Sequence, residues 1–165
     1  GAGFARVAQG EPVLVDIVHV HRGYVSDCTR IFSAGRLSDE WMQRLDDMSE
    51  VSDFVIDGLG RGVDCSAVWN EGSEMVSDMG YAGHLMGMPP DQARFLGHSV
   101  GLELDETPVV ANGFDRPLPM GGTMAIEPKV IYPEGAIGTE DTWMRGADGM
   151  ECLTMGESFP MLTEW

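Results

Sequence analysis

The chain has 165 residues, 43% of them hydrophobic and 22% charged, so its length and composition suit one domain with a single core. Ten basic residues stand against 27 acidic ones, which gives a formal net charge of −17. A chain this acidic does not attract nucleic acid or anionic lipid electrostatically, and no apolar segment approaches transmembrane length. Neither nucleic acid nor a membrane is therefore expected as a partner.

The cysteines indicate the redox compartment. Cys28, Cys65 and Cys152 are an odd number, and no two of them have a Cys-x-x-Cys spacing. This pattern favours reduced thiols, and hence a cytoplasmic location, over a disulfide framework. The chain begins at residues 1–3 with Gly-Ala-Gly and no initiator methionine, so we expect a processed product or a segment of a longer protein.

The first predicted element is a β-hairpin over residues 11–31. β-Branched residues dominate its first strand, and Arg22-Gly23 supplies turn chemistry. If Asp16 lies opposite Asp27, the turn is centred between His21 and Arg22. Like charges that face each other across a strand pair destabilise it, so this pairing predicts a bound cation.

Two helices are predicted next. Ser38 or Asp39 caps the first helix, whose apolar residues recur at spacings of three and four and which ends in a glycine-rich stretch. The second helix covers residues 65–79, with Asp64 as its cap and Gly80 as its stop. The apolar face of the first helix consists of Trp41, Leu45, Met48, Val51, Val55 and Leu59.

Strands are predicted for the rest of the chain. Residues 95–98 and 100–104 are expected to be strands, followed by a loop at residues 107–119. A last hairpin, formed by residues 123–132 and 136–144, places Glu127 opposite Glu140 around a turn at Pro133-Glu134. Strands and helices do not alternate in this order as they do in βαβ units, so the order predicts an α+β fold in which helices cover one face of a curved antiparallel sheet.

The two acidic hairpins together predict a metal site. Two aspartates and two glutamates with a single imidazole form an oxygen-rich ligand set that favours a transition metal of intermediate hardness. Four carboxylates can also bridge two cations about 3.5–4 Å apart, an arrangement that activates water for hydrolysis.

These motifs resemble the pita-bread metallohydrolases, the group of aminopeptidase P, prolidase, methionine aminopeptidase and creatinase. The resemblance runs from about residue 12 to the end of the chain. It implies that residues 1–165 are a partial pita-bread catalytic domain whose N-terminal part is missing, and that the protein is a homodimer. The matching segments are LVDIVHVHRGYVSDCTRIFSAG, FLGHSVGLELDETPVV, MAIEPKVIYPEG and GTEDTW.

The resemblance implies a role for each of five metal ligands. Asp16 would bind one metal, and Asp27 and Glu140 would bridge both. His98 and Glu127 would bind the second metal, with Glu127 also acting as the proton shuttle. The implied enzyme is an Xaa-Pro aminopeptidase- or dipeptidase-like hydrolase of small peptides. Its cofactors would be two divalent ions (Mn, Co, Zn or Fe), and a bridging hydroxide would attack the amide carbonyl.

Three departures from the family pattern bear on the substrate. Asp105 stands seven residues after His98, where family peptidases usually carry a second histidine. Gly138 stands two residues before Glu140, where Xaa-Pro-cleaving members often carry an arginine. The helices and the strand pair that precede the Asp-Asp hairpin in the family are also missing from this sequence. A non-peptide substrate (a creatinase-like C–N hydrolase or a lyase) and a non-catalytic binding module therefore remain alternatives.

Two further residues are candidates for catalysis beside Glu127. His84 lies in a loop from which it is expected to reach the substrate, as a loop histidine does in related enzymes. Asp105 is expected to line the substrate pocket together with Glu106, although Glu106 could instead cap a turn. Arg30 is expected to form a structural ion pair.

Overall fold

A computed structural model describes residue 4, residues 6–154 and residues 160–165. Residues 1–3, from which a processed or partial chain was predicted, lie outside the described residues. The described helices include none that is long and apolar enough to cross a membrane. The elements in chain order are β1 (Pro12–His21), β2 (Tyr24–Ser33), α1 (Asp39–Arg61), α2 (Cys65–Asp78), β3 (Gly97–Ser99), β4 (Glu106–Val109), β5 (Thr123–Ile126), β6 (Lys129–Tyr132), β7 (Gly135–Gly138), β8 (Asp141–Gly146), β9 (Gly149–Cys152) and β10 (Leu162–Glu164).

Both predicted helices are confirmed. Helix α1 begins after Ser38, whose Oγ accepts a hydrogen bond from the Trp41 N–H, and it ends at Gly62, which adopts a φ of 80°. All six residues of its predicted apolar face are buried. Helix α2 follows Asp64 as predicted and ends one residue earlier than expected, but the Asp64 side chain makes no capping hydrogen bond.

The strands form three hydrogen-bonded groups. A five-stranded antiparallel sheet has the order β4-β3-β5-β8-β9, a three-stranded sheet has the order β1-β2-β10, and β6 pairs with β7 alone. Helix α1 contacts β5, β6, β7, β8 and β9, so it covers one side of these strands. The predicted α+β, mainly antiparallel architecture is confirmed. Strand β10 differs from the other strands, because it pairs with β2 in parallel. It was not predicted, since its three residues are too few to show a periodicity.

The first hairpin is present, but its predicted register is wrong. His21 pairs with Tyr24, so the turn consists of Arg22 and Gly23. Both turn residues have positive φ, 52° at Arg22 and 88° at Gly23. A two-residue turn of this kind matches the right-handed twist of the flanking strands, so turn chemistry decides the register.

This register makes the two aspartates diagonal neighbours rather than direct partners. Asp16 lies opposite Thr29, and Asp27 lies opposite Val18. Because side chains alternate along a strand with a period of two, Asp16 and Asp27 still share one face of the hairpin. The carboxylates therefore remain close without the direct like-charge pairing that the sequence suggested.

The predicted strand at residues 100–104 is also wrong. The segment is a turn, in which Glu106 Oε1 accepts hydrogen bonds from the Leu102 N–H at 2.7 Å and the Glu103 N–H at 3.0 Å. A side-chain acceptor of this kind competes with a strand ladder for backbone donors. Strand β4 follows at Glu106–Val109 and overlaps the start of the loop predicted at residues 107–119.

The second hairpin has the predicted register, since Tyr132 pairs with Gly135 across the turn. Each of its strands is interrupted once, at Glu127-Pro128 between β5 and β6 and at Thr139-Glu140 between β7 and β8. Pro128 has no N–H to donate, so the ladder does not continue there. The interruptions place both predicted glutamate ligands where the five-stranded sheet gives way to the β6–β7 pair.

Candidate metal centre

The two acidic hairpins meet where β2 runs beside β8. The Thr29 N–H donates to the Glu140 carbonyl oxygen at 3.1 Å. The Asp27 N–H donates to Thr142 Oγ1 at 3.0 Å, and the Thr142 hydroxyl donates to the Asp27 carbonyl oxygen at 2.8 Å. These bonds hold the backbones of Asp27 and Glu140 side by side.

The buried side chain of Arg30 also holds β2 and the Glu140 segment together at this junction. Its side chain is 1% exposed, and its Nη2 forms an ion pair with Asp141 Oδ1 at 2.8 Å. Its Nη1 donates to the carbonyl oxygens of Thr29 at 2.7 Å and Glu140 at 3.2 Å. The predicted structural ion pair of Arg30 is confirmed, and it supports the backbone of a candidate ligand.

Three buried side chains converge at this junction. One ligand atom from each of Asp27, His98 and Glu140 lies within 4.8 Å of the other two. His98 comes from β3, and its Nε2 is 3.8 Å from Asp27 Oδ2 and 3.1 Å from Glu127 Oε1. The structure therefore brings together four of the five residues that the sequence predicts to be ligands.

The cluster has features that fit a divalent cation. Asp27 Oδ1 is buried and has no hydrogen-bond partner within the part of the chain that the structure describes. A buried, unpaired carboxylate oxygen is costly, and a bound cation would compensate it. His98 Nδ1 is 3.2 Å from the Ser99 carbonyl oxygen, so the neutral ring can keep its proton on Nδ1, and Nε2, which is 3.1 Å from Glu127 Oε1, then has the lone pair that a metal ligand needs.

The burial and close spacing of these groups shift the pKa values of the carboxylates and of His98. Burial, followed by the charges of Glu140 and Asp16, raises the pKa of Asp27 to about 7. Burial and the charge of Glu127 also raise the pKa of Glu140. Burial lowers the pKa of His98, but the hydrogen bond and the charge of Glu127 outweigh this effect and raise that pKa to about 9.

A residue that sequence reasoning missed completes the cluster. Lys129 Nζ is 2.8 Å from Glu127 Oε2, 2.8 Å from Glu140 Oε2 and 3.8 Å from Asp16 Oδ2. Burial lowers the pKa of Lys129, but the charges of Glu127 and Glu140 outweigh it and raise that pKa. A signal was available, because Lys129 is the only lysine in the sequence and follows Glu127 by two residues.

Asp16 lies at the edge of the cluster. Its side chain is 51% exposed, and its Oδ2 faces the ammonium group of Lys129. The fifth predicted ligand thus lies beside the other four: it faces Lys129, and its charge and a side-chain hydrogen bond help to raise the pKa of Asp27.

The two other predicted catalytic residues have different surroundings. His84 lies outside the cluster, with its Nδ1 2.9 Å from the Ile131 carbonyl oxygen and its ring stacked on Tyr132 at 3.9 Å between centroids. Asp105 is 79% exposed, and its Oδ1 is 3.5 Å from His98 Nδ1, on the far side of the ring from Nε2. Catalytic roles for His84 and Asp105 stay predictions.

Gly138 lies directly opposite Lys129 in the β6–β7 pair. A Cβ atom at position 138 would be 2.6 Å from the Lys129 Cα and closer still to the Pro128 carbonyl oxygen. The hairpin backbone therefore leaves no room for an arginine, or for any other side chain, unless the two strands move apart.

Comparison with known proteins identifies the family of this chain. The sequence profile of metallopeptidase family M24 matches residues 2–145. The chain belongs to metallopeptidase family M24. An Xaa-Pro dipeptidase of Lactobacillus delbrueckii subsp. lactis is 28% identical to this M24 chain over 155 residues, which are 93% of the chain and 40% of that relative. An Xaa-Pro dipeptidase of Pyrococcus furiosus is 25% identical over 153 residues, which are 92% of the chain and 42% of that relative.

Solved structures show the same fold. An X-Pro aminopeptidase from Thermotoga maritima superposes on this M24 chain with a TM-score of 0.82 and 24% identity, covering 95% of the chain and 42% of that protein. The prolidase from Pyrococcus horikoshii superposes with a TM-score of 0.82 and 25% identity, covering 94% of the chain and 43% of that protein. The predicted pita-bread fold is confirmed, and the chain spans about two-fifths of the relatives it matches.

The acidity of the cluster predicts a pH-dependent stability for the metal-free M24 chain. The pKa of Asp27 is raised from 3.8 to about 7 and that of His98 from 6.5 to about 9, so the folded state retains protons that the unfolded state releases. Asp27 thus contributes stability that is fully present below pH 3.8 and is lost as the pH rises through about 7. The His98 contribution is lost as the pH rises through about 9.

We therefore expect the melting temperature in a chelator to fall as the pH rises through this window, measured by circular dichroism. The Asp27→Asn variant is the control, since it lacks the Asp27 titration. Its advantage in melting temperature over the wild type should grow between pH 3.8 and about 7. A constant difference between the two proteins would contradict the raised pKa of Asp27.

Proposed function

We propose that this chain carries the metal-binding part of a hydrolase that cleaves small peptides at Xaa-Pro bonds, with a divalent Mn, Co, Zn or Fe ion as cofactor. The convergence of Asp27, His98 and Glu140 within 4.8 Å carries this proposal. Membership of family M24 and the relatives named Xaa-Pro dipeptidases support the reaction class. Because the chain spans about two-fifths of those relatives, the activity and substrate of the whole protein are part of the proposal.

The residues of the cluster have separable tasks in this proposal. Asp27, His98 and Glu140 hold the cation, which when bound supplies Lewis-acid chemistry by polarising a carbonyl and making water more acidic. Glu127 is buried, which raises its pKa, but the hydrogen bond from His98 and the charge of Lys129 outweigh burial and lower that pKa. An ionised carboxylate beside the cation can accept a proton, so the proposal keeps Glu127 as the proton shuttle.

The second divalent ion, the homodimer and the cytoplasmic location stay predictions. All three come from the sequence and its resemblance to the pita-bread group. The contacts of Lys129 bear directly on the second ion, because its ammonium lies among the carboxylates that this ion would need.

A second candidate is a substrate without an Xaa-Pro bond, acted on by the same centre. Asp105 places a carboxylate near His98, and an ionised carboxylate cannot stabilise an oxyanion. Gly138 leaves no space for the arginine that Xaa-Pro-cleaving members often carry. Both observations concern the surroundings of the centre, so they alter the expected substrate and not the expected ligands.

The test compares two dipeptides that differ only in proline. The chain is loaded with Mn²⁺ and incubated with an Xaa-Pro dipeptide or with the same dipeptide carrying alanine in place of proline. We expect cleavage of the Xaa-Pro dipeptide and its loss in a chelator. Mn²⁺ binding without cleavage of the Xaa-Pro dipeptide would contradict the peptidase proposal and favour the second candidate. Absence of Mn²⁺ binding at saturation would contradict both.

Replacing Asp105 by histidine is expected to shift substrate preference toward the Xaa-Pro dipeptide. The substitution removes a negative charge and adds a donor at the edge of the centre. A well-placed oxyanion donor is worth about 10²–10³ in kcat. Because Asp105 is 79% exposed, we expect a smaller gain in kcat/KM. The Asp105→Asn variant separates loss of charge from gain of the imidazole, and unchanged kinetics in both variants would refute a role for Asp105.

A further inference from the structure

We propose that the ammonium group of Lys129 takes the place of one of the two metal ions that the pita-bread resemblance implies. The chain would then bind a single divalent ion, at Asp27, His98 and Glu140. This inference rests on the proposed function for that one ion. It goes further by assigning the other cation position to a side chain of the protein itself.

The first argument is the geometry around the ammonium group. Three carboxylate oxygens surround Lys129 Nζ: Glu127 Oε2 and Glu140 Oε2 at 2.8 Å each, and Asp16 Oδ2 at 3.8 Å. Two of the three N–H donors of the ammonium group can thus hydrogen-bond to the two glutamates, while Asp16 lies at ion-pair distance. The arrangement is that of a cation held by acidic ligands, with nitrogen in the place of a metal.

The second argument is how the glutamate oxygens are divided. Glu127 directs Oε2 to Lys129 and Oε1 to His98 Nε2, which is 3.1 Å away. Glu140 Oε2 accepts from both Lys129 and the hydroxyl of Thr29. The oxygens on the Lys129 side are thus engaged, whereas Asp27 Oδ1, which has no hydrogen-bond partner among the described residues, belongs to the group that includes His98.

The third argument is charge. The cluster has four carboxylates, and Lys129 compensates one of their negative charges. One divalent ion would compensate two more, which leaves a formal charge of −1, and two divalent ions would leave +1. The net charge is therefore equally far from zero in both cases, but a second divalent ion beside the buried ammonium would place like charges within a few ångströms of each other, and this repulsion disfavours it.

The fourth argument is that the backbone of Lys129 is held by hydrogen-bonded neighbours on both sides. Its backbone pairs with Gly138 in the hairpin, and its carbonyl oxygen accepts a hydrogen bond from the Met86 N–H at 2.8 Å on the other side. Its side chain is only 10% exposed, although lysine is usually a surface residue. The only lysine of a chain with 27 acidic residues is therefore buried among carboxylates rather than on the acidic surface.

The test counts bound Mn²⁺ per 165-residue chain by equilibrium dialysis and elemental analysis. We expect one Mn²⁺ in the wild type. We expect two in the Lys129→Ala variant, because loss of the ammonium group makes its place among the carboxylates available to a second ion. Arg61→Ala is the matched control, since it removes a positive charge from an exposed ion pair with Asp57 and should leave one Mn²⁺. Electron paramagnetic resonance should show an isolated ion in the wild type and a magnetically coupled pair in Lys129→Ala.

The outcomes separate this inference from the proposed function. Two Mn²⁺ in the wild type, or one in a folded Lys129→Ala variant, would overturn the inference and leave the proposed metal centre intact. No Mn²⁺ in the wild type would overturn both.

Amine labelling tests the inference in the wild type, even if Lys129→Ala does not fold. Because Lys129 is the only lysine, mass analysis of peptides distinguishes its modification from that of the amino terminus. We expect Lys129 to stay unlabelled in saturating Mn²⁺ and to be labelled after denaturation. Labelling that increases with excess Mn²⁺ would show that a second ion expels the ammonium group, which would overturn the inference.

Discussion

Replacing Glu140 by alanine is expected to abolish Mn²⁺ binding and peptide hydrolysis. Glu140 is 1% exposed, belongs to the group formed with Asp27 and His98, and accepts hydrogen bonds from Lys129 and Thr29. Loss of an outer partner of a metal ligand typically costs 10–100-fold in affinity, so loss of a ligand itself should cost about 100-fold or more. Asp27→Ala should have the same effect. Isothermal titration with Mn²⁺ and the dipeptide assay measure both losses.

Two controls accompany this prediction. Glu134→Ala removes an exposed carboxylate from the turn of the same hairpin, so Mn²⁺ affinity should be unchanged. Glu140→Gln keeps the size of the side chain and removes its charge, which separates coordination from packing. Mn²⁺ affinity at the wild-type level in a folded Glu140→Ala variant would rule out this cluster as the metal centre.

Replacing Arg30 by alanine is expected to lower the free energy of unfolding by about 3–5 kcal/mol, the cost of breaking a buried ion pair from one side. The substitution leaves Asp141, which is 4% exposed, without the guanidinium group of its ion pair. It also removes the donors to the carbonyl oxygens of Thr29 and Glu140, which join β2 to the Glu140 segment. Urea denaturation followed by circular dichroism measures the loss.

The control for this prediction is an exposed arginine with the same type of partner. Arg36 pairs with Asp39 at 3.1 Å, but its side chain is 77% exposed, so Arg36→Ala should change stability by no more than ~1 kcal/mol. The double variant Arg30→Met/Asp141→Leu should recover part of the loss, because it leaves no unpaired buried charge. Equal stabilities of Arg30→Ala and Arg36→Ala would contradict the role given to Arg30.

Local chemistry explains which elements were predictable. The limits of α1 follow from a serine cap and a glycine with positive φ, and its buried face follows from apolar spacing, all of which depend on neighbouring residues. The register of the second hairpin was predictable because its turn at Pro133-Glu134 is local. The predicted register of the first hairpin is wrong because it follows charge pairing, whereas the turn at Arg22-Gly23 decides which residues pair.

The sequence by itself determined which residue types are available to the centre. The contexts of Asp16, Asp27, His98, Glu127 and Glu140 were sufficient to identify them as candidate ligands and to predict the fold class. They were not sufficient to show how the charges of these residues are shared. Periodicity says which face a side chain occupies, but it carries no information about which distant segment faces it.

Only the tertiary structure decided what lies between the carboxylates. The contact between β2 and β8 brings Asp27 next to Glu140, and the break at Pro128 lets Lys129 reach Glu127, Glu140 and Asp16. The absence of space at Gly138 is also a property of paired backbones. These features depend on contacts between residues far apart in the chain, which is why a motif that predicts a metal site did not reveal the lysine within it.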